Sequence, residues 1–448
     1  MATTLHLVGL GCVRNDVDTE ELAARLAEGG FELVDEPGDA EVVVVNTCGF
    51  IDAAKQDSID QILAAADLKE SGRTKAVVAT GCLAQRYGAE LAAALPEADA
   101  VVGFDGYADI AATVRSLVAP RSIPLATPTS IPLVAPTPLP FPFPRRLTGS
   151  PMAPLKIATG CDRRCAFCAI PAIRGPLRSR AIPDVVAEAR WLAEQGVREL
   201  FLVSENTTAY GKDLGADVDL PGLLAALAEV DVDWIRLSYL QPAELRPALV
   251  DAVAATAKVV PYFDLPVQHA SRAVLRRMRR FGDPETFLAL LDRIRQAVPD
   301  AGVRTNVIAG FPGETDDDVA VLRDFLAAAD FDAIGVFGYS DEEGTPAAEL
   351  EGHVDDAEIA ARAADLATWA DHLMADRARR WVGRTLPVLV EGRDDGEWRG
   401  RTPQQGPESD GETTLGAAPG LASGQIVSAL IRDTLGVDLI GSAHLPAM

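Results

Sequence analysis

The stretch Leu155-Lys156-Ile157-Ala158-Thr159-Gly160-Cys161-Asp162-Arg163-Arg164-Cys165-Ala166-Phe167-Cys168 runs from an apolar strand pattern straight into three cysteines. Zinc usually takes four ligands in paired Cys-x-x-Cys units, and no second pair or suitable histidine follows. A ferredoxin run would need a fourth cysteine, commonly with a following proline. Three cysteines can instead hold three irons of a cubane cluster and leave the fourth iron open, as a catalytic site requires. The bland alternative is three thiols clustered by chance, which sits badly with the reactivity of exposed thiols.

Downstream, the strand pattern repeats. Candidate strands are Leu155–Thr159, Glu199–Ser204, Trp234–Leu240, Tyr262–Val267, Val303–Ala309 and Ala333–Tyr339. Helical periodicity falls between them at Pro183–Glu194, Leu220–Glu229, Ala243–Ala255, Ala270–Arg280, Pro284–Ala297 and Thr315–Ala329. Six βα repeats are too few to close an eight-stranded barrel but suffice for an open, partial one. A long helix, Asp355–Arg380, closes this region, which is expected to span 147–380. Upstream, residues 1–119 alternate strands (Leu5–Leu10, Glu41–Asn46, Ala76–Thr80, Ala100–Gly103) with helices (Asp18–Glu28, Ile51–Ala66, Ala84–Leu95). That alternation predicts a doubly wound parallel sheet, so the fold class is α/β. Residues 120–146 form a Pro-rich linker, with nine prolines from Pro120 to Pro144, and read as an extended polyproline II spacer. From Trp381 to Met448, short strands at Leu386–Glu391, Trp398–Thr402 and Gln425–Arg432 alternate with Gly, Asp and Pro turns. They predict a small all-β barrel.

The other three cysteines, Cys12, Cys48 and Cys82, are dispersed, yet each follows an apolar strand. In a parallel sheet the C-terminal strand ends share one edge, so thiols distant in sequence converge if their strands lie close together. Gly11, Gly49 and Gly81 beside them let a bulky group approach the backbone. A second three-thiolate cluster is therefore expected over three separate buried cysteines or a redox disulfide, since none lies in a Cys-x-x-Cys.

Composition narrows the classes. The 448 residues contain 41 Lys and Arg against 66 Asp and Glu, a net charge of −25. That balance argues against a generic nucleic-acid binder with a broad basic face. Six cysteines are too few for a disulfide scaffold. Ser122–Pro144 is long and uncharged, but a proline about every third residue bars a membrane helix. The segment Met1–Leu10 lacks a basic region followed by a long apolar core, so the cytoplasm is the expected compartment and no membrane partner is expected.

The spacing Cys-x-x-x-Cys-x-x-Cys matches the signature of the radical S-adenosylmethionine (SAM) superfamily, and nearly the whole chain resembles its methylthiotransferase family. The segments carrying that resemblance are Gly11-Cys12-Val13-Arg14-Asn15, Asn46-Thr47-Cys48-Gly49-Phe50-Ile51 and Thr80-Gly81-Cys82-Leu83-Ala84-Gln85-Arg86. Arg14 stands where lysine is more usual. The resemblance implies two [4Fe-4S] clusters and SAM as cofactors. Cys161, Cys165 and Cys168 would bind the catalytic cluster, whose open iron chelates SAM and whose electron releases a 5′-deoxyadenosyl radical. Cys12, Cys48 and Cys82 would bind an auxiliary cluster carrying the sulfur to be inserted. Ser204 and Glu205 stand where the family binds the methionyl amine; a turn or N-cap is their plainer reading. Gln268 and His269 end the fourth core strand, Arg304 lies in the fifth, and Gly310 follows it. They are candidates for the ribose, carboxylate and adenine. A structural role is the plainer reading for His269, and an ordinary loop for Gly310.

Two substrate classes exist in that family, a tRNA adenosine and a ribosomal protein aspartate. Asn206-Thr207-Thr208-Ala209-Tyr210-Gly211-Lys212-Asp213, Gln268-His269-Ala270-Ser271 and Gly406-Pro407-Glu408-Ser409-Asp410-Gly411 resemble the ribosomal protein branch. Gly406 and Ser409 depart from the alanine and isoleucine expected there, and Gln241 from a tyrosine. The terminal region resembles a TRAM domain, normally an RNA-binding module, yet it carries five Arg, no Lys and nine acidic residues. Phosphate binding wants the opposite sign, whereas a basic ribosomal protein would be steered in. Arg272, Arg276, Arg277, Arg279 and Arg280 form a local basic exception, read as a solvated face or a contact to ribosomal RNA. The resemblance thus implies transfer of a methylthio group to the β-carbon of an aspartate in small-subunit ribosomal protein twelve. An electron donor and a sulfur source would be further partners. The alternatives are a tRNA methylthiotransferase, which would want a basic terminal domain, and a non-catalytic iron–sulfur carrier, which would want fully ligated clusters.

Overall fold

The computed structural model describes residues 2–119, 143–407 and 410–444. Most of the expected linker, 120–142, lies outside the described residues, as do Glu408 and Ser409 of the terminal motif. The chain forms two compact units, Met1–Gly149 with Ala169–Gly175, and Ser150–Cys168 with Pro176–Met448.

In the first unit, Val42 to Val45 are four consecutive valines with no exposure. Such an unbroken apolar run suits a strand covered on both faces, the usual condition of a parallel sheet. The sheet has five parallel strands, ordered Glu32–Leu33, Thr4–Gly9, Val42–Thr47, Ala76–Gly81, Ala100–Val102. Leu22, Leu26, Ile110 and Val114 pack on one face with Val42 and Val44; Ile62 packs with Val43 and Val45 on the other. The first helix begins at Val13 rather than Asp18, because polar Asn15 and Asp18 are buried and bonded instead of solvated. The edge strand Glu32–Leu33 and the helix Ile110–Val118 carry too short a pattern to be read from periodicity.

The second unit bears out the open six-repeat barrel. Its parallel strands run Met152–Lys156, Glu199–Val203, Trp234–Leu237 in one ladder and Tyr262–Asp264, Gly302–Ala309, Ala333–Gly338 in another. Bonds from Val260 N to Ile235 O (2.9 Å) and Leu240 N to Asp264 O (2.9 Å) connect the two. The closing helix runs Asp356–Ala378 and packs Leu366 and Ala370 into the core. Beyond it, Thr385–Asp394, Glu397–Arg401, Thr413–Gly416, Ile426–Leu435 and Asp438–His444 close a five-stranded barrel. No helix among the described residues is long and apolar enough to cross a membrane.

A buried ionic knot joins this barrel to the core within the second unit. Glu199 accepts from Arg236 Nε (2.5 Å) and Arg401 Nη2 (2.7 Å), with Glu199 and Arg236 fully buried. Burial alone would raise the Glu199 carboxyl, but the two guanidiniums outweigh it and hold it below the ordinary value. Arg236 also donates to the Pro403 carbonyl (2.8 Å), and Tyr262 donates its hydroxyl to Asp410.

Candidate active site

The three dispersed cysteines do converge. Cys12 caps the helix Val13–Glu28, Cys48 follows the strand Val42–Thr47, and Cys82 opens the helix Cys82–Ala94. Their strands are adjacent in the sheet, and all three cysteines stand at its C-terminal edge. A Cβ on Gly11 would lie 2.9 Å from Cys48 Sγ, and one on Gly49 would lie 2.7 Å from Leu83 N. Only glycine lets these loops close on one another. Asn15 ties them together: its Nδ2 donates to the Leu10 (2.6 Å), Asn46 (3.3 Å) and Thr47 (3.2 Å) carbonyls. Ser58 Oγ accepts from Cys48 N and donates to Cys48 O, both at 2.9 Å.

A permanent cation completes this site. Arg174, from the Ala169–Gly175 segment of the same unit, donates Nη2 to Asp18 Oδ2 (2.8 Å) and reaches Cys82 Sγ (3.4 Å). Its guanidinium lies 4.8 Å from the Phe104 ring centroid. Burial pushes the Cys48 thiol up and the Cys82 thiol to about 11, with the neighbouring cysteine charge adding to each and Arg174 opposing. Such thiols lose their protons when a metal takes their place. Among the described residues, no three His, Cys, Asp or Glu side chains gather around the position of a single ion. A polynuclear cluster spreads its ligands over several irons, and an all-thiolate donor set suits iron–sulfur chemistry. Arg174→Leu would remove the guanidinium from a buried carboxylate and is expected to destabilise the first unit by about 3–5 kcal/mol. Denaturant midpoints of the two proteins measure this, and Arg174→Lys should lose less.

The clustered cysteines occupy the loop after the strand Ala158–Thr159 in the second unit. Backbone bonds hold the loop: Ala166 N to Met278 O (2.9 Å), Ala347 N to Ala166 O (2.9 Å) and Cys168 N to Cys165 O (3.2 Å). Asp162 accepts from Leu177 N (3.0 Å), and Arg163 pairs with Glu244 (2.8 Å). Glu244 also receives Lys212 (2.6 Å) and Asn206 (3.4 Å), and these partners overcome burial to keep its carboxyl below the usual range. Arg280 brings its Nη1 to 3.7 Å from Cys165 Sγ and 2.6 Å from Gln241 Oε1. The glutamine standing where tyrosine was expected is thus engaged beside a candidate ligand. Burial raises the Cys161 thiol, with Cys165 and Glu205 adding to it. Glu205 is therefore close to the triad.

The remaining candidates separate. Ser204 is buried and shares a 3.0 Å bond with Thr207 Oγ1. Gln268 has a left-handed backbone, φ 72°, and pairs through Asn306 O and Ile308 N with the fifth core strand. Gly310, φ 80°, donates its N–H to Glu314 Oε1 (2.8 Å). His269 is engaged by protein groups on both ring nitrogens. It is fully buried; its Nδ1 accepts from Ser271 N (2.9 Å) and its Nε2 faces Glu314 Oε2 at 3.3 Å. Arg304 is engaged as well, with Nη1 3.3 Å from Asp410 Oδ1 of the terminal region and Nη2 3.4 Å from Asn306 Oδ1. Sequence reasoning missed Asn15, Arg174, Glu244 and Glu314 as site residues, because the partners that fix each of them include residues far along the chain.

Comparison with known proteins agrees with this architecture. Residues 4–103 match Uncharacterized protein family UPF0004, 155–326 match the Radical SAM superfamily, and 382–443 match the TRAM domain. The ribosomal protein uS12 methylthiotransferase RimO of Cutibacterium acnes is 54% identical, covering 98% of this chain and 97% of its own. Its namesake in Streptomyces coelicolor is 52% identical over 99% and 97%. Among solved structures, the radical SAM methyltransferase TsrM of Kitasatospora setae aligns with a TM-score of 0.55 at 17% identity. It covers 75% of this chain and 73% of its own, a likeness of fold alone.

Proposed function

This chain belongs to the ribosomal protein uS12 methylthiotransferase RimO family, and from that premise we propose that it replaces a β-hydrogen of a uS12 aspartate with a methylthio group. The observation that carries the proposal is the pair of thiol triads, each gathered at strand C-terminal ends. Cys161, Cys165 and Cys168 would hold the [4Fe-4S] cluster that works with SAM; Cys12, Cys48 and Cys82 would hold a second. Bound there, these groups supply the one-electron reduction of SAM and the sulfur, chemistry the side chains cannot perform on an unacidic β C–H bond.

The protein's own residues position and shield. Arg280 donates toward Cys165 and fixes its loop through Gln241 and the Pro266 carbonyl. Glu244 clamps Arg163 of the same loop. Ser204, Glu205, Gln268 and Gly310 are the residues assigned to SAM. His269 and Glu314 act behind them, Glu314 joining His269 to the Gly310 amide and holding two strand-end loops in one geometry. Glu314 stays ionised because His269, the Gly310 amide and Arg362 outweigh its burial. Arg304 is assigned to bracing the terminal barrel through Asp410. An electron donor and a sulfur source come from outside the chain, and a ribosomal substrate places the reaction in the cytoplasm.

The test is anaerobic reconstitution with iron and sulfide, followed by SAM, a strong reductant and either uS12 or tRNA. A mass gain of one methylthio group on a uS12 aspartate is the expected outcome. A gain confined to tRNA would overturn the substrate, and no gain on either would overturn the reaction.

A further inference from the structure

The chain carries a net charge of −25, yet residues 272–280 contain five arginines and no acid. The structure divides these five. Arg277 turns inward, donating Nε to the Pro312 carbonyl (2.7 Å) and Nη2 to the Glu351 carbonyl (2.5 Å). Arg280 turns inward to Cys165 and Gln241. Arg272, with its side chain 69% exposed, pairs with Asp283 at 2.5 Å. Arg276 and Arg279 are exposed and have no ion-pair or side-chain hydrogen-bond partner among the described residues. Phe281, next in sequence, is 67% exposed.

This lip is a built feature. The helix Arg272–Arg277 stops, and Arg279 takes a left-handed backbone, φ 55°, which costs a non-glycine residue energy. Gly282, φ 139°, then packs so tightly that a Cβ there would stand 2.5 Å from Phe287 Cε1. The turn points Arg280 at the cysteine loop and leaves its neighbours Arg279 and Phe281 in solvent. Exposed cations interleaved with an exposed aromatic ring are suited to phosphates and a stacked base, respectively. A ribosomal protein that neutralises RNA is itself basic, so this lip would repel uS12 alone.

Resting on the uS12 reading above, we propose that the lip formed by Arg276, Arg279 and Phe281 docks ribosomal RNA beside the substrate, so that uS12 is taken within the RNA-containing small subunit. Arg276 and Arg279 engage backbone phosphates and Phe281 stacks on an unpaired base.

The experiment uses the full-length reconstituted protein with purified small subunits, free uS12 and a labelled single-stranded ribosomal RNA oligonucleotide. Wild type is compared with R276E/R279E and with F281A, all at exposed positions, after cluster absorbance and circular dichroism have established that the proteins are equally loaded and folded. Binding is read by sedimentation across a salt series, modification by product mass. R276E/R279E should weaken subunit and oligonucleotide binding by about tenfold or more and reduce the log–log salt slope by about two. F281A should weaken binding without changing that slope, and KM for free uS12 should not rise in either variant. Unchanged subunit binding and slope in R276E/R279E would overturn the proposal. Weakened subunit binding with no oligonucleotide binding by wild type would assign the lip to an acidic protein segment and overturn the RNA. Should wild type modify neither form of uS12, the binding series still decides the lip, while the methylthiotransferase reading fails separately.

Discussion

Alanine at Cys161, Cys165 or Cys168 is expected to abolish methylthio transfer and SAM cleavage together, and to remove about half of the bound iron. A cluster held by two thiolates is no longer anchored in a loop whose geometry depends on the bonds at Ala166 and Arg280. Alanine at Cys12, Cys48 or Cys82 should also abolish transfer and halve the iron, but leave SAM cleavage intact, because those thiols belong to the other unit. Iron content, chromatographic assay of the cleaved nucleoside and product mass give the three readings. Retention of SAM cleavage in any of the first three variants would remove that triad from its assigned role.

Glu199→Ala should be among the most destabilising single substitutions in the second unit. It would leave the guanidiniums of Arg236 and Arg401, which are 0% and 4% exposed, without their shared carboxylate. Breaking a buried pair from one side costs about 3–5 kcal/mol, a melting shift on the order of 10 °C. The sign with pH follows from the direction of its shift. The folded carboxyl titrates below its ordinary 4.5, so its stabilisation is complete above that value and is lost as pH falls through the lower folded one. Glu199→Gln should flatten that acid limb. Calorimetry from pH 7 down to pH 3 would test both, and an acid limb identical to wild type would show that Glu199 does not hold the barrel to the core.

Strand and helix patterning made the first unit's parallel sheet and the core strands of the second unit legible, and cysteine spacing singled out the two groups of thiols, because period and spacing are local properties. Cys161, Cys165 and Cys168 could be read from seven residues of separation, and Cys12, Cys48 and Cys82 from the rule that parallel strands end together. Two barrel strands, Thr413–Gly416 and Asp438–His444, were not read, since the first is only four residues long and Gly441 interrupts the alternation of the second. The helix expected to reach Arg280 stops at Arg277, because the pull of Cys165 and Gln241 on Arg280 overrides helical propensity. Arg304 does lie in the fifth core strand and His269 follows the fourth, but their side-chain partners, Asp410 and Glu314, are 106 and 45 residues away. Nothing local marks such partners.

The seven residues after Cys168 fold as part of the first unit, and they carry Arg174 to Asp18 across 156 positions of sequence. The boundary visible along the chain and the boundary visible in space therefore disagree. Exchange of the first 149 residues with those of a relative would set a foreign Asp18 and a foreign Cys82 against a native Arg174. The two segments therefore act as one inheritance unit for this contact: a graft that changes position 18 without position 174 leaves a buried charge unmatched.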